Sequence, residues 1–312
     1  MADKKATRVG WGEGLAKLGE KYGDVVVVDA DLCGSVGSKD FSKLFPERHF
    51  DVGIAEQNGV GVAAGLARDG FVPFFHSFAV FAAGRAFEII RNAVCYSNIN
   101  VKIVGSHSGI TPAADGGTHE AIEDIAIMRA LPNMTVLVPC DYNQAKAMAE
   151  PVYKHQGPVY VRTSREAMPV CTNENDPFEI GKVQVLRGGS DVCIFACGIM
   201  VAMALDAAAE LAKDGIEARV VNVHTIKPFD AEGVVSCAKE CGGRVVVCEE
   251  ASSIGGLGDA VSAALVGTDG ISLRHISVGD RFGQSGSCAA LLEYYGLTPK
   301  HIIEEARSLQ ET

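Results

Sequence analysis

The chain has 312 residues, 47% of them hydrophobic and 21% charged, with a formal net charge of -11. That is apolar material enough for about two domains of ordinary size, and the acidic balance argues against a nucleic-acid binder, which needs a basic face. The polar start Met1-Ala2-Asp3-Lys4-Lys5 is unlike a secretory leader, and no apolar run reaches the length of a membrane span, so a cytoplasmic location is expected.

In chain order, residues 11–22 read as a helix. Residues 24–29 (DVVVVD) are a continuous apolar run, the mark of a parallel strand buried on both faces. A Gly/Ser loop covers 31–38. A β-like lead-in at 49–52 breaks at Gly53, and a Gly- and Ala-packed helix follows through 60–66 with Glu56 at its start. Small side chains there permit close approach to a neighbouring backbone. Next come a strand at 71–75, a long helix at 78–96 and a strand at 101–105. A loop rich in Gly, Ser and Pro spans 106–118. A helix at 119–131, a strand at 135–138, a helix at 142–153 and a strand at 159–162 complete the first unit. Residues 168–178 lapse into Pro, Asn, Thr and acids and read as a linker. Alternation then resumes: strand 192–196, Ala-rich helix 200–213, strand 218–223, helix 231–241, strand 244–249, helix 258–266, strand 272–276 and a helical tail. This alternation predicts an α/β fold of two doubly wound domains with mostly parallel sheets. The domains are expected at 1–167 and 181–312, joined by a linker at 168–180.

Ten cysteines are spread along the chain. Cys193/Cys197 and Cys237/Cys241 are each four apart, neither pair makes CxxC, and no His stands beside them at zinc-finger spacing. No metal site is expected in this chain, and reduced, mostly buried thiols are.

Functional residues in open α/β sheets gather beyond the carboxyl ends of the strands. Four loops qualify. One holds Asp31 and Ser35, one Glu56, one His107, Asp115 and His119, and one Arg162 and Arg165. A lone Glu56 reads first as a helix N-terminal acid favoured by the dipole; the sharper reading is a catalytic carboxylate in an apolar pocket. His107 by itself would be structural. Two histidines and an acid in one Gly-rich loop point instead to catalysis or substrate binding. Phe78 and Phe81, three apart on one helical face, suit either a core or the walls of a slot for a flat heteroaromatic ring. Arg85, one turn on, is either structural or polar lining.

The segments GIAEQNGVGVAAGLARDGFVPFFHSFAVF, GSHSGI followed by DGGTHEAIED, VYVRTSRE and HTIKPFD together resemble the C-terminal half of transketolase. The resemblance runs from Thr7-Arg8 to the tail, with its motifs in the same order. It implies a pyrimidine-binding domain and a C-terminal domain, with thiamine diphosphate held between the former and the diphosphate domain of the other half. It further implies that Glu56 bonds N1′ of the aminopyrimidine and favours its imino tautomer. Phe78 and Phe81 match the pocket around that ring, and Asp31 an acid near the cofactor. Arg85 matches a further pocket position, with a spacing one residue longer here. His119 matches a catalytic-site histidine, and with His107 would shuttle protons at substrate hydroxyls. Arg8, Ser35, His107 and Arg165 match a grip on the sugar phosphate, and Asp115 a ligand of a substrate hydroxyl. The implied activity is transfer of a two-carbon ketol unit from a ketose phosphate to an aldose phosphate.

The family holds Mg2+ and diphosphate through a Gly-Asp-Gly motif, which this sequence lacks, and no room for the domain that carries it precedes Arg8. The chain is therefore expected to be one subunit of a split enzyme. Its N-terminal partner would carry Mg2+ and the diphosphate in an α2β2 assembly, and this subunit alone is expected to pair with itself. Alternatives remain. A deoxyxylulose-phosphate synthase half shares Ala-Glu-Gln, and the β subunit of a 2-oxo acid dehydrogenase is related in chemistry; Thr-Ser-Arg and SHSG favour transketolase over both. A non-catalytic assembly partner would have signalled itself by loss of Glu56 or of the histidine loop. A nicotinamide dinucleotide-binding protein needs GxGxxG, and Gly255-Gly256-Leu257-Gly258 has the wrong glycine spacing.

Overall fold

The computed structural model describes residues 3–311. Its strands in chain order are β1 (Lys4–Lys5), β2 (Val25–Asp29), β3 (His49–Asp51), β4 (Val72–Phe78), β5 (Lys102–Ser106), β6 (Thr135–Leu137), β7 (Val159–Arg162), β8 (Met168–Pro169), β9 (Gln184–Arg187), β10 (Val192–Ala196), β11 (Ala218–Asn222), β12 (Thr225–Lys227), β13 (Arg244–Cys248) and β14 (Ser272–Ile276). The first sheet runs β12-β6-β7-β5-β4-β2-β3 and the second β14-β13-β10-β11-β9. Within these two sheets the ladders are parallel except where β12 joins β6 and β9 joins β11. This is the α/β architecture that the alternation of apolar runs and helices predicts.

Parallel strands need cover on both faces. The helix Thr7–Lys21 lies on one face of the first sheet and turns Trp11, Leu15 and Leu18 inward. On the other face the core is continuous from Val28, Phe75 and Ile103 to Phe195, Val221 and Val247 of the second sheet. The two sheets thus share one apolar interior. The far side of the second sheet carries the helices Met200–Leu211 and Pro299–Ser308. Among the described residues no helix is long and apolar enough to cross a membrane.

Several expectations change. Phe78 is the last residue of β4, not part of a helix, and the helix beyond it is wound wide over Val80–Arg85 and Ile90–Tyr96. His119 lies in the loop, because the following helix begins only at Asp124. The stretch expected as a linker is tied down at its start, where β8 pairs antiparallel with β1. A loop with an extended backbone can add to a short edge without any apolar periodicity, so the pattern gave no sign of it. The strand β12, from HTIKPFD, leaves the second half of the chain to extend the first sheet.

A buried ion pair fastens the two halves. Arg162 Nε donates to both oxygens of Asp124, at 3.1 and 2.9 Å. Arg162 Nη2 donates to the Ala121 and Glu250 carbonyls at 3.1 and 2.9 Å, and Tyr160 Oη donates to Asp124 Oδ2 at 2.7 Å. Burial alone would lower the Arg162 pKa, and Asp124 reverses this and raises it. So Arg162, one of the two cations singled out in its loop, is a structural residue. Arg162→Ala leaves the Asp124 carboxylate buried and uncompensated, and should destabilise the fold by about 3–5 kcal/mol in urea unfolding. A loss under about 1 kcal/mol would show that water fills the gap and that this pair is not a fastening.

Candidate functional site

The carboxyl ends of β2, β3, β4, β5 and β7 lie along one edge of the first sheet because these strands are parallel. All the singled-out residues follow from that edge or from the helix start at Thr7. Gly53, at φ +73°, turns the chain after β3, and Glu56 opens the helix Glu56–Arg68. Glu56 is only 2% exposed, and its Oε2 has no hydrogen-bond partner among the described residues. That helix packs on β4 and on the wide-turned helix beyond it.

The aromatic residues meet there. The Phe78 and Phe81 rings stack with centroids 6.1 Å apart, and His107 stacks on Phe78 at 4.1 Å. His119 stands edge-on to both, 6.2 Å from Phe78 and 5.4 Å from Phe81. The wide helical turn bonds Ala86 N–H to the Phe81 carbonyl, five residues back. One residue more per turn is the hallmark of such a bulge. It sets Arg85 over Phe81, with Cζ 5.8 Å from the ring centroid, despite the extra residue between them.

His107 and His119 come together because their loop is pinched at its base. Gly109 N–H bonds the Ala121 carbonyl at 2.8 Å, and Ser108 N–H bonds the Thr163 carbonyl at 3.1 Å. His107 itself adopts φ +59° and is nearly enclosed. Burial, with the charges of Arg8, Arg165 and His119, lowers its pKa to about 3. At neutral pH it is therefore an uncharged imidazole, whose Nδ1 lies 3.0 Å from Ser106 Oγ.

A polar group adjoins the rings. Thr7 and Ser164 are bonded to each other, which sets Arg8 beside Arg165. Arg8 Nη1 donates to the Ser35 carbonyl at 2.8 Å and its Nε to the Arg165 carbonyl at 3.4 Å. Arg165 Nη1 reaches the Pro112 carbonyl at 2.5 Å and Asp115 Oδ2 at 3.5 Å. Ser35 thus enters by its backbone. Asp31 is exposed at φ +59°, and its N–H donates to Asp51 Oδ1 at 3.0 Å; among the described residues no hydrogen bond or ion pair links its side chain to the others.

Known proteins align with this arrangement throughout. "Transketolase, pyrimidine binding domain" matches residues 3–170 and "Transketolase, C-terminal domain" residues 181–302. The chain belongs to the transketolase family. A protein of Methanocaldococcus jannaschii, provisionally named as a transketolase C-terminal section, is 47% identical over 311 residues and 97% of each chain. A 6-deoxy-6-sulfo-D-fructose transketolase subunit of a Clostridium species is 46% identical, over 95% of this chain and 92% of that one. A solved structure of a split-gene transketolase, an inactive beta4 tetramer, superposes with a TM-score of 0.88 at 46% identity over 97% of both chains. The chain therefore matches transketolase subunits of the split kind along their full length, and its pyrimidine-binding domain is of the thiamine diphosphate type.

Two carboxylates of this transketolase chain escaped sequence reasoning. Glu250, past the end of β13, crosses to the first half, where its Oε1 accepts from the Ile110 and Thr111 N–H groups at 2.7 and 3.0 Å. Gly109 faces it at φ +62°, and a Cβ there would stand 2.2 Å from the Glu250 carboxyl carbon. Glu120 lies next to His119, 3% exposed, with its carboxylate against Gly283 and the Gln284 backbone. The only trace in the sequence was the acidic pair Glu249-Glu250 ending an apolar strand.

Burial raises the pKa of Glu250 to about 7, and that of Glu120 likewise. A carboxyl held above its unfolded value stabilises the fold fully below about pH 4, and that stability is lost as pH rises through about 7. Wild type should therefore lose ground to Glu250→Gln between about pH 5 and 8, by on the order of 2 kcal/mol. Glu120 is present in both proteins and cancels from the comparison. Melting temperatures of the two proteins across that range check this, and a constant difference would contradict it.

Proposed function

We propose that this chain is the pyrimidine-binding subunit of a split, thiamine diphosphate-dependent transketolase that moves a two-carbon ketol unit from a ketose phosphate to an aldose phosphate. On this reading residues 1–167 are the pyrimidine-binding domain, 168–180 the linker and 181–312 the C-terminal domain. The observation that carries it is Glu56, an enclosed carboxylate with an unpartnered oxygen, opening a helix that packs on β4 and on the wide-turned helix, the two elements that carry the stacked Phe78 and Phe81. An unsatisfied buried oxygen costs about 1–3 kcal/mol. An aminopyrimidine fits what is missing: a ring nitrogen whose proton the carboxylate can hold, and a flat face for the phenylalanines. Glu56, Phe78, Phe81 and Arg85 would hold the ring, with Asp31 near it. When bound, thiamine diphosphate supplies the carbon nucleophile that takes up and hands on the two-carbon unit.

The chain's own residues do the rest. Glu56 holds a proton at the ring nitrogen, where enclosure strengthens the bond. His119, half-buried at the mouth, and the neutral His107 exchange protons with substrate hydroxyls. Arg8 and Arg165 present two guanidinium forks to a tetrahedral oxyanion, and the Ser35 carbonyl fixes the aim of Arg8. Asp115 steadies Arg165 and accepts from a substrate hydroxyl. The relative that by name acts on a sulfonated fructose fits the same grip, since a sulfonate is also a tetrahedral oxyanion.

The sequence contains no Gly-Asp-Gly, so diphosphate and Mg2+ fall to a partner, the N-terminal transketolase subunit, in an α2β2 assembly. Ile54, 76% exposed two residues before Glu56, lies on the face such a partner would cover.

Glu56→Gln should keep the fold and lower turnover of the reconstituted enzyme by about two to four orders of magnitude in a coupled assay. Near wild-type turnover would remove Glu56 from the role. Arg165→Ala should raise KM for phosphorylated sugars at least about tenfold more than for unphosphorylated ones. Equal losses for both would remove the oxyanion grip. The chain alone should show no ketol transfer, and turnover without any added partner would refute the split arrangement.

A further inference from the structure

We propose that Asp29, Cys33 and His49 form a binding site for a borderline transition-metal ion, best matched by Zn2+, beneath the loop that carries Asp31 and Ser35. Asp29 ends β2, His49 opens the neighbouring β3, and Cys33 begins the short helix Cys33–Val36. One ligand atom from each residue lies within 4.8 Å of the other two. None of the three belongs to the cofactor pocket or the oxyanion grip.

The donor set is the first argument. A thiolate, an imidazole and a carboxylate are together the mix that zinc takes, leaving a fourth position for water. Bond lengths of about 2.0–2.3 Å require ligand atoms about 3.3–3.8 Å apart in a tetrahedral site. The three ligand atoms lie within 4.8 Å of one another, near enough for side-chain adjustment to bring them to that spacing. His49 Nε2 now sits 2.5 Å from Asp29 Oδ2 and would turn from that oxygen to the metal.

The second argument is an oxygen with nothing to do. Asp29 is fully buried, and its Oδ2 already accepts from Ser38 Oγ at 2.7 Å as well as meeting His49. Its Oδ1 is enclosed and has no partner among the described residues. A metal gives that oxygen a cation. Ser42 Oγ lies 3.2 Å from Cys33 Sγ and now donates to the Lys39 carbonyl at 2.8 Å; it would have to turn from that carbonyl to donate to a thiolate. Cys33 and His49 are half-buried, which leaves a way in from solvent. The contrast with a second cluster is instructive. Cys140, Asp141 and Cys171 are equally close, but Asp141 already accepts from Gln144, Cys171 and Thr172 through both oxygens.

On binding, the Cys33 thiol gives its proton to solvent and its sulfur bonds the metal; nothing is oxidised or reduced. The loop 31–36 would then be pinned to the sheet edge, and with it the Ser35 carbonyl that holds Arg8.

The test uses the purified chain, stripped of metal with a chelator and dialysed. Zn2+ is added, and bound metal is measured by elemental analysis after gel filtration; Co2+ serves as an absorbing probe of thiolate ligation. About one equivalent should remain bound. Cys33→Ser should abolish the thiolate-to-Co2+ absorption and weaken Zn2+ binding at least about tenfold, and His49→Ala should weaken it likewise. Cys171→Ser should change neither. Circular dichroism confirms folding, and if His49→Ala does not fold, the half-buried Cys33→Ser decides. No retained metal in wild type, or equal binding in Cys33→Ser, overturns the proposal.

Discussion

The pair of Arg162 and Asp124 is the point on which the arrangement turns. Both are almost wholly out of water, where a charge without its partner is costly. Tyr160 completes Asp124, and the Ala121 and Glu250 carbonyls complete the guanidinium. Those contacts join the end of β7, the helix Asp124–Ala130, the histidine loop and the turn after β13. The histidine loop is therefore not a free surface loop, since its base is held by the charge pair and its flank by the Glu250 carboxylate. The proton-exchanging role proposed for its histidines would use such support, because small displacements of reacting groups are expensive.

Around this support the electrostatics are divided. Two arginines stand side by side, each held by backbone carbonyls that share its charge. Their proximity and burial strip His107 of its proton, so the imidazole enters the site neutral. A charged imidazole at His107 would add to the repulsion between cations before any anion arrives. The ring cluster beyond is apolar on Phe78 and Phe81, and the helix that Glu56 opens packs on the elements carrying both rings. One edge of one sheet thus presents a cationic end and an aromatic end, the division on which the proposed function draws.

The two halves of the chain are less separate than their composition suggests. Val28 and Phe75 share a core with Phe195 and Val247. Lys227, the last residue of β12 and paired with Val136, spends its ammonium on the Arg129 and Leu131 carbonyls at the end of the helix Asp124–Ala130. Cations are favoured at that end of a helix. The second half therefore buttresses the site in the first without supplying any of the residues singled out for cofactor or substrate.

The sequence by itself determined the elements that depend on local composition. Runs such as VVVVD and VCIFA read as buried strands, and 159–162, 192–196 and 272–276 coincide with β7, β10 and β14. The motif residues were likewise legible, because residue type and order survive without coordinates. What the sequence did not determine was everything that rests on partners distant along the chain. The role of Arg162 was set by Asp124, 38 residues away, and that of Glu250 by backbone amides about 140 residues away. The ends of β4 and of the helix after His119 shifted because a wide turn and a pinched loop, not local propensity, fixed them. The strand β12 joined the first sheet because an unpaired edge at β6 had to be satisfied. Hydrophobic pattern is a local quantity. Burial of charge and completion of hydrogen bonds are not, and only the tertiary structure could decide them.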